Sequence, residues 1–321
     1  MAFFNEWERS LAVGVESTWG AVGTISEWIA FEEATFNLEI PFEDVPGVWQ
    51  RRGIQKTYQK SKVLTPALKF DVEPENGLGC ILKSAFGTVN SVQYGTFVAY
   101  KHTYQILEQT TLPSLWTRIP QIGTTTTKDY VGLNVSKLTI NFGKDENVKA
   151  DVSFIGKDEL TGTATTGTYS GLAPLSSFGE LDIKIDGTSN TDIANGVVNI
   201  DNQLTSHIVA GTNKTISKIS ANRISVDGNF DLYFQNQTER NKFINKNSST
   251  LQFLLTGTTF TGTAKYELNF KLPNVEYISV PFESKDGLIG ATIGFKALYG
   301  TGNSVGTGVI LAELQNSKVA Y

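Results

Sequence analysis

The sequence has few of the residues from which enzyme and metal sites are usually built. Its single cysteine, Cys80, excludes an intramolecular disulfide and predicts a small packed side chain. Its two histidines, His102 and His207, are far apart and have no acidic or nucleophilic partner at a recognisable spacing. Zinc sites need clustered Cys and His side chains, and catalytic triads need a positioned histidine. We therefore predict no catalytic residue, no cofactor and no metal site, in a protein that is not an enzyme.

The sequence also lacks long apolar runs and an excess of positive charge. No apolar stretch approaches the length that spans a bilayer, and the start of the chain, Asn5 to Arg9, does not have the pattern of a secretory signal. We expect a soluble protein made in a reducing compartment. The net charge of −5 disfavours a nucleic-acid binder, which needs Lys and Arg gathered on one face. Charged residues make up 18% of the chain, below the roughly 25% of ordinary globular domains, which favours surfaces partly covered by neighbours.

The most informative feature present is a hairpin pattern that occurs twice, in residues 134–154 and 274–295. The first strands of the two copies match at an offset of 140 (274 − 134): Asn134, Val135, Leu138, Ile140 and Phe142 align with Asn274, Val275, Ile278, Val280 and Phe282. The turn of the second copy has one extra residue, so the following residues match at an offset of 141 (295 − 154): Lys144, Asp145, Ala150, Val152 and Phe154 align with Lys285, Asp286, Ala291, Ile293 and Phe295. Both copies alternate apolar and polar residues, which predicts paired strands with one buried face. The pattern indicates a duplicated β unit.

The duplication extends beyond the hairpin. Residues 68–72 resemble residues 228–232 at an offset of 160 (228 − 68), and each stretch precedes a helical pattern. The first pattern, Glu75 to Phe86, has apolar residues at helical spacing and Gly87 at the position of a C-terminal stop. The second, Thr238 to Lys246, is shorter and weaker. Each unit is therefore predicted to contain strands, one short helix and a returning hairpin.

These patterns predict a mainly β protein with two tandem units. Residues 1–31, which contain three of the five tryptophans, are predicted to form an N-terminal arm. The first domain is placed at residues 32–160, a linker rich in Thr, Gly, Ala and Ser at 161–177, and the second domain with a C-terminal strand at 178–321. The long loop from Pro41 to Thr65 is basic and aromatic, which favours a contact loop.

Several short motifs, taken in order, resemble those of a known family. They are Val13-Gly14-Val15-Glu16-Ser17-Thr18-Trp19-Gly20, His102-Thr103-Tyr104, Leu112-Pro113-Ser114-Leu115, Tyr130-Val131-Gly132-Leu133-Asn134-Val135 and Val197-Val198-Asn199-Ile200-Asp201-Asn202. Together they resemble the tail tube (major tail) proteins of long-tailed bacteriophages, over nearly the whole chain. The second unit departs from the pattern, because Leu272-Pro273-Asn274-Val275 stands where a Tyr-x-Gly element is expected.

The resemblance implies two tail-tube-type β-sandwich or barrel domains, each flanked by a short α-helix. It implies rings stacked into a hollow conduit for genome ejection, in which three duplicated chains supply six domains. The implied partners are other copies of the chain, the tape measure protein, and the tail terminator and distal tail proteins. Double-stranded DNA is expected only in transit, and no membrane is involved. The implied location is the virion tail, assembled in the host cytoplasm.

Two sets of residues are candidates for this role. Polar residues on the strand faces opposite the predicted core are expected to line the bore: Asp71, Glu73, Lys137, Thr139, Asn141, Lys149, Asp151, Asp227, Asp231 and Ser279. Acidic groups there would repel phosphate. The inter-ring contact is assigned to the long loop, with Trp49, Arg51 and Arg52, because Trp and Arg are frequent interface anchors.

Other functions are compatible with the same sequence, the least favoured being an enzyme whose carboxylate pair only the fold would reveal. The inner tube of a contractile injection or secretion apparatus would share the sandwich. A two-unit β-sandwich adhesin or carbohydrate-binding protein would also be rich in Thr and Asn, but would be a stable monomer with aromatic residues clustered on one face.

Overall fold

The computed structural model describes residues 9–47, 52–122, 126–176, 179–211, 214–234, 236–285, 287–303 and 305–321, and it is mainly β. The strands in the first half of the chain are β1 (Leu11–Val15), β2 (Glu27–Ile29), β3 (Glu33–Thr35), β4 (Leu38–Glu39), β5 (Phe42–Asp44), β6 (Thr57–Gln59), β7 (Val63–Leu64), β8 (Ala67–Asp71), β9 (Gly87–Gln93), β10 (Tyr100–Ile106), β11 (Leu115–Ile122), β12 (Thr126–Phe142), β13 (Lys149–Ile155) and β14 (Asp158–Thr161). Those in the second half are β15 (Leu181–Ile185), β16 (Thr188–Ser189), β17 (Ile193–Asp201), β18 (Thr205–His207), β19 (Lys218–Ser220), β20 (Ser225–Tyr233), β21 (Ser249–Thr261), β22 (Ala264–Ser279), β23 (Phe282–Lys285), β24 (Leu288–Ala297), β25 (Gly300–Asn303), β26 (Gly306–Gly308) and β27 (Leu311–Asn316). The helices are α1 (Leu78–Phe86) and α2 (Thr238–Asn245).

The two helices occupy similar places in the chain but differ in burial. Helix α1 begins at Leu78, three residues later than the sequence predicts. The reason is Gly77, whose left-handed φ of 74° is incompatible with a right-handed helix running through this position. It ends at Gly87, as predicted, and eight of its nine residues are buried. Helix α2 begins at Thr238, as predicted, and none of its residues is buried. Helix α1 is therefore part of the core, whereas α2 lies on the surface.

One antiparallel sheet organises the fold. Its strand order is β3-β8-β13-β12-β17-β20-β24-β22. We call β3, β8, β13 and β12 the first quartet, and β17, β20, β24 and β22 the second quartet. The β12–β17 ladder joins the quartets, with Leu138 opposite Ile200 and Ile140 opposite Val198. The two halves of the chain thus share a single sheet, which we call the common sheet.

Two further sheets cover the common sheet. One has the order β2-β1-β11-β12-β14, so the predicted N-terminal arm contributes two paired strands. The other has the order β16-β15-β21-β22-β27-β10-β9, in which the C-terminal strand β27 lies between the two halves of the chain. The long strands β12 and β22 each belong to two sheets. In β12 the transition falls at Gly132, whose φ is 66° and where an added Cβ would meet Lys157.

Matching irregularities show that β12 and β22 are equivalent strands. In β12 the ladder with β11 shifts between Leu115 and Thr117, where Leu133 is the partner of Leu115. The ladder of β22 with β21 shifts at the corresponding point, where Val275 is the partner of Ser249. A second pair of bulges falls where β12 meets β13 and where β22 meets β24. Bulges are specific structural features rather than random defects, so their coincidence fixes how the quartets superimpose.

The structural superposition differs by two residues from the sequence alignment. The bulges place Leu133 on Val275, an offset of 142 (275 − 133), where the sequence pattern gives 140. The opposed residues Lys69 of β8 and Asp151 of β13 then correspond to Asp231 of β20 and Thr292 of β24. The offsets are 162 for β8 and β20 (231 − 69) and 141 for β13 and β24 (292 − 151). Two residues are one full strand period, so both alignments give the same alternation of buried and exposed residues. The exception is Ile278, which lies in the bulge of β22 and is exposed.

The core lies between the common sheet and the other two sheets. Phe142 of the first quartet stacks on Phe253 of β21, with ring centroids 5.1 Å apart, and meets Phe270 of β22 edge-on. Phe36, Tyr130 and Phe154 form a second aromatic cluster in the first half. The buried apolar residues form one continuous cluster that includes both quartets and α1.

The buried carboxylate Glu27 should make protomer stability depend on pH. Its side chain accepts a hydrogen bond from the Gly77 N–H and lies 3.5 Å from Lys318 Nζ. Burial outweighs both contacts and raises the pKa of Glu27 from its ordinary value of 4.5 to about 7. Because the folded protein retains this proton to a higher pH than the unfolded chain, the stabilisation is complete below about pH 4.5 and is lost as the pH rises to about 7.

We expect Glu27→Gln to remove most of this dependence. Between pH 5 and pH 8, wild-type stability should fall by about 2–3 kcal/mol relative to Glu27→Gln, as measured by urea unfolding of the protomer. Glu32→Gln is the matched control, because Glu32 is exposed and its pKa is lowered by a hydrogen bond from Lys149. Parallel pH profiles for wild type and Glu27→Gln would show that Glu27 is not the group responsible.

Candidate functional surface

One face of the common sheet is polar across its whole width. A single row of directly opposed residues crosses all eight strands: Glu33, Lys69, Asp151, Thr139, Asn199, Asp227, Lys296 and Glu276. Carboxylates, lysines and neutral polar groups alternate along it, so opposite charges face each other on neighbouring strands. We call the face that bears this row the polar face. The opposite face of the same strands carries the buried core residues.

Hydrogen bonds hold the polar face in place across the junction of the quartets. The Thr139 hydroxyl donates to Asn199 Oδ1 at 2.8 Å, and Asn199 Nδ2 donates to Asp227 Oδ1 at 3.0 Å. Asn141 Nδ2 donates to Asp151 Oδ2 at 2.8 Å. These side chains satisfy one another's hydrogen bonds, and the face as a whole carries groups of both charges.

Nine of the ten predicted bore residues lie on the polar face. Eight belong to the central strands: Asp71, Lys137, Thr139, Asn141, Lys149, Asp151, Asp227 and Asp231. Ser279 is opposite Gly294, which is opposite Asn229 of the polar face. Glu73 lies beyond the end of β8 in the turn before α1, where its carboxylate accepts a hydrogen bond from Asn76. Burial raises the pKa of Glu73.

Sequence reasoning omitted several residues of this face. Lys69, Asn199, Thr292 and Lys296 complete the rows of the polar face but are not among the predicted candidates. The alternation of Val198 and Ile200 with Asn199 and Asp201 contained the signal for β17. Its position in the same sheet as β12 could not be inferred from sequence because that pairing joins segments about 60 residues apart along the chain.

Two hairpins lie in the chain segments that connect the first two strands of each quartet, β3 to β8 and β17 to β20. The first, β5 with β6, exposes the side chains of Phe42, Ile54 and Tyr58. The second, β18 with β19, is followed by the exposed side chains of Ile208 and Val209. The backbone N–H of Lys62 donates to the carbonyl of Lys214 at 2.7 Å, so the two loops touch.

Of the three predicted inter-ring residues, only Arg52 lies within the described residues. It is exposed and lies between β5 and β6. Trp49 and Arg51 lie outside the described residues. The exposed apolar side chains of this hairpin give it the character of a contact surface.

A buried histidine connects neighbouring strands. His102 is fully buried, with Nδ1 2.7 Å from the Ser91 hydroxyl and Nε2 3.0 Å from Asn316 Oδ1, and so links β10 to β27. Burial lowers its pKa. The described ranges contain no group of three or more His, Cys, Asp or Glu side chains arranged to hold a metal ion.

Among the residues that the structure describes, neither α1 nor α2 has the length and apolar character needed to cross a bilayer.

Most of the chain matches a known protein family. A family model described as phage tail tube protein matches residues 7–297, which is most of the chain. No significantly similar curated protein was found. A structural role in the phage tail, with assembly of copies of the chain into a tube, follows from the family. With its mainly β fold and its match over residues 7–297, the chain belongs to the phage tail tube protein family.

Proposed function

We propose that three copies of this chain close into a ring and that stacked rings form the conduit through which phage DNA leaves the virion. The observation that supports this most strongly is the common sheet, in which two equivalent quartets lie side by side and present one polar face. Residues 32–160 and 178–321 would then act as two tube domains joined by the linker at 161–177, and three chains would place six quartets around the axis.

The size of such a barrel is compatible with a conduit. Eight strands from each of three chains give 24 strands (8 × 3). With strands about 4.8 Å apart and tilted by about 40°, the backbone barrel would be roughly 45–50 Å across. Barrels of about 16–18 strands already leave an aqueous channel. Closure would also remove the exposed sheet edges that promote aggregation.

The polar face would line the bore. Lysines on it are opposed by carboxylates, as Lys69 is by Asp151 and Lys296 is by Asp227. DNA affinity depends on lysines and arginines that neutralise phosphates and release counterions. Lysines already facing carboxylates offer little of this binding, so DNA would pass without lasting attachment. The tape measure protein would occupy the bore before ejection, and the terminator and distal tail proteins would complete the two ends of the tube.

The two hairpins would join successive rings. The β5–β6 hairpin exposes Phe42 and Ile54 and carries Arg52, which gives the combination of apolar and guanidinium side chains found in interface anchors. Trp49 and Arg51 belong to the same loop and are proposed to contribute to this contact. The β18–β19 hairpin would give the second domain an equivalent contact.

A charge reversal on the polar face tests the conduit role. We expect phage carrying Asp227→Lys to assemble tails of normal length but to eject DNA more slowly. Each ring would gain three lysines at position 227, opposite Asn199 and Lys296 rather than a carboxylate, and they would bind passing phosphates. The delay should shrink as salt is raised, because the contact is electrostatic. The measurement is the rate of DNA release from purified virions.

Asp182→Lys is the matched control. It makes the same change of charge on β15, which is outside the common sheet. If Asp227→Lys and Asp182→Lys virions release DNA at the same rate, the polar face does not line the path of the genome.

A further inference from the structure

The two outermost strands of the common sheet are equivalent, in the superposition of the quartets, to the two strands that pair at its centre. At the centre, β12 of the first quartet pairs with β17 of the second. By the superposition above, β12 corresponds to β22 and its continuation β23, and β17 corresponds to β3 and its continuation β4. The sheet therefore ends in counterparts of the strands that it joins internally.

The sequence independently supports the second of these equivalences. An offset of 162 (198 − 36) aligns Phe36-Asn37-Leu38-Glu39 with Val198-Asn199-Ile200-Asp201, so apolar, Asn, apolar and acidic residues coincide. Strands β3 and β4 also keep one register against β8 and β7, with Thr35 opposite Ala67 and Leu38 opposite Leu64. The edge of the first quartet is thus a short version of β17.

The opposite edge exposes an apolar side chain that its counterpart buries. Ile140 of β12 is fully buried, whereas its counterpart Phe282 is 42% exposed. Ile278, in the bulge of β22, is a further exposed apolar residue, at the position that Ser136 has in β12. Within the described residues, no strand pairs with the outer edge of β23 or of β3. An apolar, unpaired strand edge is a template for pairing with another chain.

We propose that these two edges pair with each other between neighbouring copies of the chain, in the antiparallel register of the internal β12–β17 junction. This inference rests on the proposed ring and specifies its interface. Transfer of the internal register places Val280 opposite Leu38 and Phe282 opposite Phe36, as counterparts of Leu138–Ile200 and Ile140–Val198. The same transfer places Glu283 opposite Thr35, as the counterpart of Asn141–Val197. A second copy of the chain is the partner that fits, because the pairing already exists once within the molecule.

One outer edge differs from the internal junction because its strand is interrupted. β12 is continuous through Thr139, whereas its counterpart is interrupted between β22 and β23 at Pro281, which has no N–H to donate. Proline is confined to edge strands or interruptions within sheets. The junction between copies would therefore have fewer backbone hydrogen bonds than the internal one.

Cysteine cross-linking tests the register. The variant Glu283→Cys with Thr35→Cys places two exposed residues directly opposite each other across the proposed junction. Opposed residues on antiparallel strands have Cα atoms about 4.5–5.5 Å apart, within the range of a disulfide. The native Cys80 is buried and does not interfere. Oxidation of assembled tubes should shift the protein on a denaturing gel to two and three times the chain mass.

The control variant is Glu283→Cys with Asn37→Cys, shifted by two residues. It separates the Cα atoms by about 8 Å, beyond the reach of a disulfide. Ser279→Cys with Glu39→Cys provides a second in-register pair should the first variant fold poorly. Cross-linking of both in-register pairs, without the shifted pair, is the expected result.

The other outcomes separate failure of the register from failure of the proposed function. Cross-linking of the shifted pair alone would overturn the register. Tubes that form in every variant without any cross-link would overturn this junction and leave the conduit role intact. Absence of closed rings from assembled wild-type protein, as seen by electron microscopy, would overturn the proposed function and this interface with it.

Discussion

Replacement of Phe282 by lysine is expected to leave a folded protomer that cannot close a ring. The Phe282 side chain is 42% exposed at the outer edge of the common sheet. Within the protomer its ring contacts Phe234 edge-on at 5.0 Å and lies 4.9 Å from the Arg240 guanidinium. A lysine there can keep its charge in water as long as the edge is exposed. In the proposed junction the same charge would be buried against Phe36 without a partner, at a cost of several kcal/mol for each contact.

The equivalent substitution at the centre of the sheet should have a different effect. Ile140 has the structural position of Phe282 (282 − 140 = 142), but it is fully buried between β13 and β17. Ile140→Lys should therefore unfold the protomer, whereas Phe282→Lys should change assembly alone. Circular dichroism reports folding, and sedimentation together with electron microscopy reports assembly. Val98→Lys, at an exposed apolar residue between β9 and β10, is the control. Normal tube yield from Phe282→Lys would contradict the role of this edge.

Truncation of Phe142 is expected to destabilise both halves of the protomer together. Its ring is fully buried, stacks on Phe253 and meets Phe270, so it connects the first quartet to strands of the second half. Phe142→Ala should lower the free energy of unfolding by about 3–5 kcal/mol, through lost apolar burial and the cavity left behind. Because the buried residues form one cluster, unfolding should remain a single transition in urea.

Phe142→Leu is the control for cavity size. It retains most of the buried volume and should cost less than half as much as the alanine variant. Fluorescence and circular dichroism should give coincident transitions for wild type and both variants. Two separate transitions, with only one of them shifted by Phe142→Ala, would show that the halves fold as independent units.

The parts of the fold that could be predicted from sequence are those governed by local periodicity. The alternation in β12 and β13 correctly placed Leu138, Ile140 and Phe142 on the buried face. The helix ending at Gly87 was also predicted, because a left-handed C-terminal glycine is a local signal. The duplication itself was visible because both hairpins keep the same alternation.

The parts that could not be predicted depend on pairing between distant segments. The hairpin alternation assigns Ile278 and Phe282 to the buried face, but both are exposed in the protomer. Phe282 lies on β23, at the outer edge of the common sheet. Ile278 is the extra residue of the β22 bulge, and its side chain lies beside Gly294 on the polar face. The sequence alignment was two residues out of register because strand periodicity repeats every two residues and cannot distinguish such shifts. The bulges that fix the register have no clear sequence signature. The same limit applies to the polar face, whose complete rows emerge only when β17 is placed beside β12.

Rotationally averaged end views of the assembled protein by cryo-electron microscopy would show how many chains form a ring and whether its centre is open. We expect closed rings of three chains with six similar lobes around an open centre, and a backbone barrel roughly 45–50 Å across. Rings of six chains, in which only one quartet of each chain reaches the axis, or assemblies without a central opening, would contradict this expectation.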